Sequence, residues 1–155
     1  MKILKIAGIA IASIIILLVI LAKIMDVTPT AMGMHDTIQV TDGLAIGGYD
    51  AVNYFTASTA AIGTTDFSYE WNDATWQFAS QSNLDQFKST PKKYAPQYGG
   101  YCGFAMSKGF AASVDPNSWH VENDKLYLFN SLEVKETFLA DLDKGIIAAC
   151  DKNWN

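Results

Sequence analysis

Four side chains in this sequence could hold a soft metal ion or carry thiol chemistry: Cys102, Met106, His120 and Cys150. Cys102 lies in "YGGYCGFAMSKG", and Met106 follows four residues later, a spacing that sets a thiol and a thioether on one face of a helix. Two sulfur donors of this kind suit Cu(I). A helix over Tyr101 to Lys108, closed by Gly109, would put Cys102 in its first turn, where exposed N–H groups and the helix dipole favour a thiolate. His120 follows Trp119 in a strand-like segment, so its imidazole points away from that aromatic neighbour. It completes a Cys-Met-His set if its face turns toward the "GGYC" helix. The only two cysteines, Cys102 and Cys150, offer either a disulfide or a redox thiol with a resolving partner. A small buried cysteine with a gap-filling methionine would explain the same residues without chemistry. "MGMH", Met32 to His35, is a second soft string, two thioethers and an imidazole within four residues.

Other chemistries find no support. There is no paired-carboxylate motif and no Ser-His-Asp arrangement, and "GLAIGG" lacks the Lys-Ser/Thr that a phosphate-cradling loop needs. The enzyme case therefore rests on one cysteine. A formal net charge of -5 and the lack of a basic stripe argue against a nucleic-acid partner.

The elements that must position these groups begin after a distinctive start. Lys2 and Lys5 precede an apolar run, Ile6 to Ala22, with no small-x-small cleavage site in "LAKIMD". Residues 1 to 25 are expected to be a transmembrane helix, an uncleaved anchor that crosses the inner (plasma) membrane once. The early lysines place the remainder on the periplasmic, extracytoplasmic side. Residues 26 to 42 read as a linker, a stalk with a proline and little apolar periodicity, and residues 43 to 155 as one domain.

Within the domain, "WNDATWQFASQSNLDQF" (Trp71 to Phe87) and "ENDKLYLFNSLEVKETF" (Glu122 to Phe138) align without gaps at an offset of 51. Each predicts a strand, an Asn-Asp turn, an aromatic-rich strand and a helix. Ser82 with Asp85, and Asn130 with Glu133, have capping-box spacing. Asp50 is expected to cap a short turn that carries Val52, Tyr54 and Phe55 inward. Pro91 starts a short helix and Gly145 interrupts the carboxyl-terminal one. The fold class is α+β: small antiparallel β-hairpins packed with short helices, preceded by the transmembrane helix.

"GGYDAVNYF", "YEWNDATWQFASQSNLDQFKSTPKKYAPQYGGYC", "DPNSWHVENDKLYLFNS" and the terminal "DKNWN" resemble the YHS-domain proteins, in particular an exported single-domain branch. The resemblance covers residues 43 to 155. It implies a small module of the kind found beside heavy-metal ATPases. Where metal-associated members carry a cysteine after the Phe of "WQFASQSN", this chain has Ala79, so the family's thiolate pair is missing. The resulting expectation is a non-enzymatic binding module for a transition metal, copper first and zinc second, with Cys102, Met106 and His120 as ligands. The alternatives are a thiol redox protein using Cys102 and Cys150, and an interaction domain that docks a membrane or periplasmic protein.

Overall fold

Two Asn-Asp dipeptides reverse the chain: Asn72 and Asp73 take φ of 53° and 60°, Asn123 and Asp124 of 51° and 58°. This geometry matches the twist of the flanking strands. The computed structural model describes residues 2–24, 27–33 and 35–154, with backbone alone at 2–10, 22, 23 and 32. In chain order the elements are α1 (Lys2–Ile24), β1 (Val27–Pro29), β2 (Val40–Thr41), β3 (Leu44–Ala45), α2 (Asn53–Thr56), β4 (Thr64–Trp71) and β5 (Ala74–Phe78). They continue with α3 (Gln81–Ser89), α4 (Pro91–Tyr94), α5 (Gly103–Ser107), β6 (Phe110–Ala112), β7 (Asp115–Glu122), β8 (Lys125–Phe129), α6 (Leu132–Leu139) and α7 (Ile146–Trp154).

The expected α+β class, with small sheets and short helices, is observed, but the expected transmembrane helix is corrected. Among the described residues no helix is long and apolar enough to cross a membrane. The backbone of α1 is helical from Lys2 to Ile24. The side chains of Lys2, Lys5 and Ile6 to Ala10 lie outside the described residues.

The hairpin β4–β5 followed by α3 recurs as β7–β8 followed by α6, at the offset read from the sequence. The copies share their irregularities. A bulge separates Thr64 from Ser68 in β4 and Asp115 from Trp119 in β7. The second absorbs Pro116, where a regular ladder would require an N–H. The helix caps differ from the expected ones: the Ser80 hydroxyl accepts from Asn83 N–H and the Ser131 hydroxyl from Val134 N–H. Each serine has extended φ/ψ, which Ser82 inside α3 cannot have.

β8 separates two cores. Leu126 and Leu128 face a cluster with Trp76, Phe78 and Phe87, whereas Tyr127 and Phe129 face one with Tyr98, Phe138 and Cys102. The period-two alternation of a strand explains the division, and burial on both faces explains the unbroken apolar run "LYLF". Parts of residues 26 to 42, expected as a linker, contact the domain. β1 pairs with β6 through Val27 and Ala112, Gln39 N–H donates to Gly99 O at 2.8 Å, and Ile38 is buried.

The first half is pinned by one charge. Asp50 is fully buried. Its Oδ1 accepts from Val52 N–H at 2.8 Å and Asn53 N–H at 3.3 Å, and its Oδ2 accepts from Ala79 N–H at 2.8 Å and the Asn83 side-chain amide at 2.6 Å. Replacing Asp50 by Ala strands the Val52 and Ala79 N–H groups and leaves Asn53 N–H and the Asn83 amide with only the Asp50 carbonyl and Asn53 Oδ1, so urea unfolding of Asp50→Ala should show a loss of about 3 kcal/mol. Asp50→Asn, which keeps the shape and one acceptor oxygen, should lose about half as much.

Candidate functional site

Cys102 is placed by a glycine turn and then by two strands. Gly99 and Gly100 adopt φ of 62° and 89°, and a Cβ on Gly99 would collide with the Thr37 carbonyl oxygen. Tyr101 and Cys102 are then extended. Cys102 N–H donates to Ala112 O at 3.0 Å, and the residue bridges in parallel with Leu128. These contacts delay the helix, so α5 starts at Gly103 rather than Tyr101. Cys102 is its N-cap residue, without a side-chain cap bond, and is 1 % exposed. A five-residue helix has little dipole with which to activate a thiol.

The turn has a twin. "GGYD", Gly47 to Asp50, and "GGYC", Gly99 to Cys102, repeat one residue beyond the offset of the hairpins. Gly47 and Gly48 have φ of 58° and 83°, and Ile46 matches Tyr98 at 52° and 55°. Asp50 N–H donates to Ala61 O at 2.8 Å, as Cys102 N–H does to Ala112 O. The duplication therefore spans the turn, short helix, hairpin and long helix of each half. Cys102 stands where Asp50 stands in the first half, and Met106 stands where Tyr54 stands. The repeated "GGY" carries this signal in the sequence, but the one-residue difference breaks the ungapped alignment before reaching it.

A cavity of about 280 Å³ opens beside the thiol, lined by Cys102, Phe104, Ala105, Ser113, Asn130 and Val134 among others. At the corresponding positions of the first half the Asp50 carboxylate accepts from the Asn83 amide; here a thiol and Val134 line the cavity. Met106 is fully buried in the same cluster as Cys102, and its N–H donates to Cys102 O at 2.9 Å. The two sulfur-bearing residues are thus one turn apart.

The other sequence candidates lie elsewhere or act differently. Neither His120 nor Met106 is among the residues lining the cavity; His120 Nε2 pairs with Glu122 Oε2 at 3.2 Å on β7. Among the described residues no group of three His, Cys, Asp or Glu side chains could hold a metal ion. Cys102 and Cys150 are both free and buried. In "MGMH", Met34 and the Met32 side chain lie outside the described residues, while the His35 ring stacks on Trp154 at 5.1 Å and meets the Tyr101 ring edge-on at 5.7 Å.

Sequence reasoning missed the polar spine beneath the site. Tyr98 Oη donates to Asp151 Oδ1 at 3.0 Å, and Cys150 Sγ donates to Gly103 O at 3.2 Å. Burial pushes the Cys150 thiol up to about 11, helped by the negative charge of Asp151 and by Cys102, against a lowering hydrogen bond from Tyr98. Tyr98 is raised first by burial, then by Cys150 and Asp151. Tyr127 is pushed up to about 12 by burial, with Asp151, Cys150 and Glu122 adding to it. A thiol held neutral in this way is a poor resolving nucleophile at neutral pH.

The Cys150 thiol binds its proton more tightly in the folded chain than in the unfolded one. Its contribution is therefore complete below about pH 9 and disappears as pH rises toward about 11. Unfolding of the wild type and Cys150→Ala, compared between those limits, should show the wild type losing roughly 2 kcal/mol more than the variant. Compared with known protein families, curated proteins and solved structures, the chain matches none.

Proposed function

We propose that this chain is a non-enzymatic binding module for a soft transition metal, Cu(I) first, with Cys102 and Met106 as the donor pair. The observation that carries the reading is the exchange between the halves. On matching backbone positions, Asp50 and Tyr54 of the first half are replaced by two sulfur residues in the second. A core position needs apolar volume, which leucine would supply. Placing thioether and thiol together adds affinity for a soft monovalent ion that accepts two or three ligands.

The donor set decides between metals. Zinc sites are built from four N, S or O ligands, and the described residues supply no such group. Cu(I) is satisfied by the sulfur pair. His120 is tied to Glu122 and is left out of the proposed donor set. The motif resemblance to YHS-domain proteins favours the same class of ligand. The neutral Cys150 thiol weighs against the redox alternative, because it would have to attack as a thiolate.

Anaerobic Cu(I) titration of the full chain against a chromogenic chelator tests the reading. One equivalent should be taken up, with affinity lowered at least about 10-fold, roughly 1.4 kcal/mol, in Cys102→Ser and in the volume-conserving Met106→Leu. Copper uptake that neither variant changes, or no uptake in competition with the chelator, rejects the donor pair.

A further inference from the structure

We infer that Cys102 is an oxidation site whose sulfinate the fold is already shaped to hold. In the first half, Val52 N–H, Asn53 N–H, Ala79 N–H and the Asn83 amide converge on the Asp50 carboxylate. A cysteine sulfinate has the same outline: two oxygens on the atom attached to Cβ, sharing one negative charge. At Cys102 those oxygens would extend into the volume that the Asp50 oxygens occupy in the matching half.

Three of the four donors recur there as backbone groups. Phe104 N–H and Ala105 N–H correspond to Val52 and Asn53, and Asn130 N–H corresponds to Ala79. Among the described residues none of the three donates a backbone turn, loop or cap hydrogen bond, and the Cys102 side chain makes no cap bond to α5. The cavity beside Cys102 is lined by Phe104, Ala105 and Asn130, and the Cys102 thiol is 99 % buried there (1 % exposed). Val134 replaces Asn83, so one bond of the first-half set is lost. Asn130 also sits just before α6, an eight-residue helix whose amino end favours negative charge.

The chemistry needs hydrogen peroxide as oxidant. The Cys102 sulfur attacks one peroxide oxygen, the O–O bond breaks, and the thiol is converted to sulfenic acid with release of water. A second peroxide oxidises the sulfenic acid to sulfinic acid and releases a second water. The acid then ionises, its proton passing to solvent and its charge to the waiting N–H groups. Asn130 is exposed, so the cavity has a rim from which peroxide can enter. The product ties α5 to α6 as Asp50 ties α2 to α3, and it removes the soft sulfur donor. The inference rests on the Asp50–Cys102 correspondence and not on copper binding, so a negative copper titration leaves it standing.

Two measurements on the full chain test it together. Peroxide treatment followed by peptide mass analysis should add two oxygen atoms to Cys102, leave Cys150 unmodified, and raise the thermal midpoint above that of the reduced protein. Cys102→Asp, which installs the carboxylate genetically, should raise the midpoint by about 3 °C over the wild type. The inference is overturned if Cys102→Asp lowers the midpoint, as a buried unpaired charge would. It is equally overturned if peroxide that oxidises methionines of the same chain fails to produce sulfinate at Cys102.

Discussion

A buried carboxylate is tolerated only when every oxygen is hydrogen-bonded, and Asp50 meets that condition with four donors drawn from three places in the chain. The glycine turn before it, the short helix after it and the junction of β5 with α3 all converge on this one group. Their mutual positions then follow, including the parallel contact of Leu44 in β3 with Thr75 in β5. Without the charge, Val52 N–H and Ala79 N–H would lose their acceptor. The aromatic cluster of Trp76, Phe78 and Phe87 packs around a frame whose geometry the carboxylate defines.

The second half repeats the frame without the charge, so its cohesion comes from elsewhere. The carboxyl-terminal helix α7 supplies it. Asn153 donates to Met106 O and Ser107 O at 2.9 and 3.2 Å, which satisfies the end of α5. Asp151 receives the Tyr98 hydroxyl, and the Trp154 ring lies against those of His35, Tyr98 and Tyr101. Asp151, Asn153 and Trp154 therefore form a clasp across the Cys102 region. Position 102 carries a thiol where the first half has the carboxylate, and a cavity of about 280 Å³ lies beside it.

The hairpins were legible because their determinants are local. Asn-Asp at positive φ, alternating burial and a serine at each helix start act over a few residues, and the gap-free alignment carried both copies. The cap assignments slipped by two residues at α3 and one at α6, because serine, asparagine and aspartate crowd those junctions and only backbone conformation selects among them. The helix expected over Tyr101 to Lys108 was shortened by contacts with Ala112 and Leu128, neither of which is visible in the segment itself. The pairing of Val27 to Pro29 within the expected linker was invisible for the same reason: its strand partner, Phe110 to Ala112, lies far along the chain.

The sequence by itself determined the two hairpin-helix units, the capping of a turn by Asp50, and the presence of a sulfur pair one helical turn apart, since each follows from residue types at short spacing. Only the tertiary structure decided that Cys150 is held neutral beside Tyr98 and Asp151, and that His120 stands apart from the cavity. Those facts depend on which distant segments meet across β8. Such meetings are set by packing two cores against one strand, and no local spacing records them.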